Sequence, residues 1–139
     1  MAESFNGFRF AYRLCRAPAT VKDVVVADAA FNKGDLVNLE SGQADLAETD
    51  DSALIGVVLE SDSGMTTGTD TVEVVTDEDA VYSVYDANAR VMGATLDIAG
   101  ATGAMTVAAS SNVDLIVVAD SAADELTYVR IATGEHWLS

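Results

Sequence analysis

Gly34-Asp35-Leu36-Val37-Asn38-Leu39, followed by Ser41-Gly42 and by Leu54-Ile55-Gly56-Val57-Val58-Leu59-Glu60-Ser61, is the stretch that decides the fold. It reads as a strand, a tight Ser-Gly turn, a polar loop and a buried apolar strand. Glycine supplies the positive φ of the turn, and a β-branched run suits a covered, pleated surface. A shift of 59 residues places Gly34 on Gly93, Val37-Asn38-Leu39 on Leu96-Asp97-Ile98, Leu46 on Met105, and Val57-Val58-Leu59 on Ile116-Val117-Val118. Each copy closes with one more strand, Val72-Glu73-Val74-Val75 in the first and Thr127-Tyr128-Val129-Arg130-Ile131 in the second. The duplication lies in the hydrophobic pattern rather than in residue identities.

Around this pair of repeats the composition predicts a single β-rich domain. The chain has 139 residues, of which 50% are hydrophobic, with one proline and few aromatics. A domain of that size buries roughly two-thirds of the surface its unfolded chain exposes. The net charge of -16 is unevenly placed. Met1 to Lys22 carries Arg9, Arg13, Arg16 and Lys22 against Glu3 alone, a net of +3, and the remainder is a net of -19. A basic arm precedes an acidic body, and such a body repels nucleic acid and anionic membrane.

Within the arm, Phe8, Phe10, Tyr12 and Leu14 alternate with Arg9, Ala11, Arg13 and Cys15. One reading is an edge strand of the body, with an apolar face turned in. The other is a docking arm, because aromatics and arginines anchor interfaces and an extended segment can add to a sheet edge. On the second reading Phe5, Phe8, Arg9, Phe10, Tyr12, Arg13 and Arg16 bind a partner. Pro18 ends the segment, so the expected organisation is an arm over residues 1–20 and a body over 21–139.

Further along, Asp86-Ala87-Asn88-Ala89-Arg90-Val91-Met92-Gly93 has a capping residue, alanines and a terminal glycine, and predicts one short helix. The acidic loop Glu48-Thr49-Asp50-Asp51-Ser52 lacks the ligand spacing of a calcium loop. Thr76-Asp77-Glu78-Asp79 reads as a solvated acidic turn. One cysteine and one histidine support neither a disulfide framework nor a zinc centre, and no metal or cofactor is expected. Trp137 is expected to cap the core or fill a subunit interface, with His136 a spectator beside it. No apolar stretch approaches the ~20 residues of a membrane span, and nothing at the N-terminus resembles a secretion signal, so synthesis in the cytoplasm is expected.

The succession of a Gly-Asp strand, the Ile55-Gly56-Val57-Val58-Leu59-Glu60 strand, a glycine-containing loop, a Val-x-Val strand and the later Gly93-x-x-Leu96 strand resembles the capsid cement, or head-decoration, proteins of tailed bacteriophages. The resemblance covers roughly Val24 to Ile131. It implies an all-β domain, a small β-barrel or β-tulip-like body with an extended N-terminal arm. It also implies a homotrimer seated on the major capsid protein at the exterior of the virion, and no catalysis. Alternatives are another structural or host-adhesion module of the virion and, from a different class, a small β-barrel ligand-binding protein or enzyme. Against a nucleotide hydrolase, the body offers only Lys33, Arg90 and Arg130 to phosphate.

Overall fold

A computed structural model describes residues 6–48, 53–109, 113–132 and 134–138. The acidic loop over residues 48–52 falls largely outside them. The described chain is all-β, with eleven strands: β1 (Arg9–Arg13), β2 (Val21–Val25), β3 (Leu36–Glu40), β4 (Gln43–Leu46), β5 (Leu54–Val57), β6 (Thr71–Val75), β7 (Ala80–Asp86), β8 (Thr95–Ala99), β9 (Thr106–Ala109), β10 (Leu115–Val117) and β11 (Glu125–Ile131). They form a six-stranded sheet in the order β1-β7-β11-β10-β8-β9, a pair β2-β6, and a three-stranded sheet β4-β3-β5.

The duplication is present in the hydrogen bonding. Leu36 pairs with Val57 and Val37 with Gly56, and 59 residues on Thr95 pairs with Ile116 and Leu96 with Leu115. Gly34 N donates to Val58 O at 3.0 Å and Gly93 N to Val117 O at 2.8 Å. The bridge Phe31↔Asp62 recurs as Arg90↔Ser121. With the bridge Val58↔Val74 joining β5 to β6, the first module runs β2-β6-β5-β3-β4, and the second runs β7-β11-β10-β8-β9 in the same order. The offset fails in one place. The turn between β3 and β4 is the two residues Ser41-Gly42, both at positive φ, whereas the loop between β8 and β9 spans residues 100–105. Leu46 therefore matches Ala109, which pairs with Leu96 as Leu46 pairs with Val37, and not Met105.

Apolar alternation sorts the side chains into two cores. On the β4-β3-β5 sheet, Leu36, Leu54 and Val57 face one core with Phe8, Tyr82, Leu96, Leu115 and Val129. Val37, Ala44, Ile55 and Val58 face the other, with Val26, Phe31, Val72 and Val74. The sheet is thus covered on both faces, which explains why its strands read as unbroken apolar runs. The second core lies within the first module, where β2 meets β4 through the single bridge Val26↔Ala44 and β5 meets β6 through Val58↔Val74. Each seam is one bridge, short of the continuous ladder of a closed barrel.

Two sequence expectations change here. Residues 86–93 form no helix. Asp86 has its side chain drawn inward, where it accepts from Asn88 N at 3.1 Å and pairs with Arg90 at 2.6 Å. A capping residue that turns to its own neighbours no longer serves a helix start. Residues 6–20 are built into the body, with β1 forming an edge of the six-stranded sheet against β7.

Candidate functional site

β1 accounts for most of the residues singled out in the sequence. Phe8 is fully buried in the first core, its amide donating to Gly34 O at 2.8 Å, and Phe10 packs on the same core with its ring edge-on to Tyr82 at 6.4 Å. Exposing either ring would forfeit the burial of a large apolar side chain, about 2 kcal/mol or more for Phe8. A partner-binding role for these two rings is therefore corrected to a packing role. Arg9 Nη1 donates to the carbonyls of Asn6, Phe8 and Lys33. The strict alternation also fails at Ala11, where a bulge in the β1–β7 register lets Phe10 face Tyr82 and Tyr12 face Val81. Phe5 lies outside the described residues.

Of the remaining arm residues, Arg13 lines an open groove of about 420 Å³ together with Thr20, Lys22, Asp77, Trp137 and Leu138 among others. Arg13 Nε meets Asp79 Oδ1 at 2.8 Å and its Nη1 meets Asp77 Oδ1 at 3.4 Å. Those two carboxylates also accept backbone amides, Asp79 from Cys15 at 3.1 Å and Asp77 from Thr20 at 2.6 Å. Burial works against the Asp79 charge, but Arg13 and Cys15 outweigh it and hold its carboxyl at about 2. A carboxyl held below its unfolded value contributes stability that is present above about pH 4 and is lost as pH falls towards 2. The clamp that fixes the connection from β1 to β2 is accordingly closed at neutral pH. The acidic turn 76–79 is thus a structural anchor as well as a surface feature. Arg13 and Asp79 stand 66 residues apart, so the sequence carried no local signal for that pairing.

Other side chains of the arm, of β2 and of the tail are left outside the clamp. Lys22 Nζ sits 5.8 Å from the Trp137 ring centroid, and Arg16 lies over Tyr12 at 5.1 Å. Leu138 is 58% exposed, Leu14 47% and Val21 42%. Cys15 is exposed. Sequence reasoning did not single out Val21, Lys22 or Leu138, because the C-terminal tail and β2 meet only in the fold. Trp137 packs against the second core of its own chain and donates from Nε1 to Thr76 O at 3.3 Å, as the core-capping reading predicts.

Among the described residues no group of three or more His, Cys, Asp or Glu is arranged to hold a metal ion, and no helix is long and apolar enough to cross a membrane. The groove offers a cation over an aromatic ring, an apolar rim and paired carboxylates, a combination suited to binding a surface. Comparison of the chain with protein-family models and with curated proteins found no match.

Proposed function

We propose that this protein is a structural component of a phage virion that binds the outside of the assembled capsid and stabilises the head, as a decoration or cement protein. Its partners on this reading are the major capsid protein and further copies of itself, in the homotrimer that the family resemblance implies, with Trp137 as a candidate subunit contact. The observation that carries the proposal is the groove, where a cation and an exposed apolar side chain stand on an otherwise acidic chain. In a chain with a net charge of -16, Lys22 and the exposed Leu138 line the groove, and Arg16 and the exposed Leu14 and Val21 lie on the segments that adjoin it in sequence. Apolar anchors rimmed by cations grip a surface, while the acidic remainder keeps closely spaced copies apart and in solution. Binding only the assembled shell shifts the equilibrium towards the intact particle by mass action. The docking residues on this reading are Tyr12, Leu14, Arg16, Val21, Lys22 and Leu138, with Arg13 holding them in place.

Co-sedimentation of the protein with undecorated capsids of its own phage tests the proposal. Saturation at a fixed, high number of copies per shell is expected. Combined Arg16→Glu and Lys22→Glu should weaken binding about tenfold at low salt and less at high salt. Failure of the unaltered protein to bind the shells would overturn the reading.

A further inference from the structure

The C-terminal tail adds an extended segment to β5, held as a strand of one residue by a single parallel bridge. Leu54 N donates to Glu135 O at 2.7 Å, Trp137 N donates to Leu54 O at 2.9 Å, and His136 is the bridge partner of Leu54. This strand occupies the edge of β5 not used by β3, beside the Val58↔Val74 bridge to β6. His136 lies at its centre with 2% of its surface exposed.

The ring's two nitrogens are differently placed. Nδ1 accepts a hydrogen bond from Leu138 N at 3.2 Å, which requires Nδ1 to be unprotonated and leaves the proton on Nε2. Nε2 is buried with no hydrogen-bond partner among the described residues. The carbonyls of Ile55 and Thr76 lie near the ring, but neither meets Nε2 in hydrogen-bonding geometry. The charged groups that face the ring are Glu78 from the β6–β7 connection and Arg130 from β11, with Glu135 adjacent in the tail.

We propose that His136 is an acid-sensitive latch, whose neutral ring holds the tail strand on β5 and whose protonation at Nδ1 releases that strand together with Trp137. A proton on Nδ1 turns it from acceptor to donor and sets it against the Leu138 amide, which loses its acceptor. The new cation is enclosed and lies beside a second cation, Arg130, with Glu78 as the opposing charge. Burial lowers the ring's pKa, Glu78 raises it and Arg130 lowers it, with a net shift below the ordinary histidine value. Moving the tail to water relieves the charge at the expense of two backbone hydrogen bonds to β5 and the Trp137 packing. The strand that leaves uncovers the Leu54 edge of β5 and the part of the second core beneath Trp137.

One histidine and one tryptophan in the chain make the test direct. The ring of His136 is titrated by NMR from pH 8 to 4.5 while the Trp137 emission and the far-ultraviolet circular dichroism are followed. Expected is a ring midpoint below about 6.5, a red shift of the emission with the same midpoint, and a β spectrum that persists. His136→Gln should abolish the emission change. Glu78→Gln should move the midpoint down and Arg130→Gln move it up, by roughly half a unit each. Emission that stays constant while the ring titrates would overturn the proposal, as would a His136→Gln variant that keeps the transition. Should His136→Gln fail to fold, unmoved midpoints in both charge variants would overturn it.

Discussion

The β2–β6 and β7–β11 modules share strand order and turn hydrogen bonds but fill them with different chemistry. Lys33 N donates to Ser61 Oγ and Met92 N to Asp120 Oδ1, each at 2.8 Å and 59 residues apart. At other matched positions the residues diverge. Phe31 is buried in an apolar core, whereas Arg90 in the same bridge is ion-paired to Asp86. Asp35 is fully buried and receives Asn32 N, Thr102 Oγ1 and Gly103 N, while its counterpart is Ala94. The longer β8–β9 loop supplies Thr102 and Gly103, so the four added residues of the second module tie it to the first. Val91 and Met92, in the places of Asn32 and Lys33, remain 69% and 66% exposed. The module is therefore defined by a backbone pattern that tolerates apolar, ionic or hydrogen-bonded filling.

The largest test of that comparison lies at Gly56, opposite Val37, and its counterpart Leu115, opposite Leu96. A Cβ at Gly56 would collide with the Val75 carbonyl oxygen and come within 2.6 Å of the Tyr82 hydroxyl. Gly56→Ala is expected to cost about 3 kcal/mol or more by overpacking. Leu115→Ala is expected to cost about 3 kcal/mol by leaving a cavity. Urea unfolding measures both, and a loss under about 0.5 kcal/mol at Gly56 would mean that the close approach is not maintained.

The ionic filling of the second module comes next. The Asp86 side chain is 3% exposed and that of Arg90 13%. Asp86→Ala strands a largely buried guanidinium and should cost about 3 kcal/mol, whereas Asp86→Leu with Arg90→Phe, which borrows the apolar character of the first module, should return to within about 1 kcal/mol of the unaltered protein. Thermal or urea unfolding of the single and double variants separates an essential ion pair from a replaceable one.

The smallest effect is expected at Asp45, opposite Asn38, where the second module has Ala108 opposite Asp97. Burial, Asp28 and Glu40 push the Asp45 carboxyl up to about 7. Its folded value lies above its unfolded one, so its contribution is fully present below about pH 4 and is lost as pH rises through about 7. Partial exposure limits this to about 1 kcal/mol. Asp45→Asn should flatten that part of the stability profile between pH 4 and 8, and an unchanged slope would assign it to other carboxylates.

Much of this fold was legible in the sequence because glycine, Asn/Asp/Ser turns and β-branched runs act locally. The Ser41-Gly42 turn, both repeats and their closing strands follow from those signals. What escaped the sequence depends on distant partners. The Asp86 side chain turned to Arg90 rather than to a helix start, and the bulge at Ala11 redirected the β1 alternation. A pattern of period two also could not tell an arm that grips another molecule from a strand that grips its own, and Phe8 and Phe10 belong to the second kind. The candidate site was half legible. Its arginines and Trp137 stood out, while Lys22 and Leu138 gained meaning only when β2 and the tail met.

The pairing of β1 with β7 has a consequence for the order of assembly. Phe10 lies opposite Tyr82, and Glu125 lies opposite Asp86, so β7, second from the edge of the six-stranded sheet, takes both neighbours from remote parts of the chain. The hairpins β3–β4 and β8–β9 close locally and early, but β1 cannot be placed until β7 exists. In chain order, therefore, Phe8 and Phe10 have no β7 to pack on until the whole first module has been made.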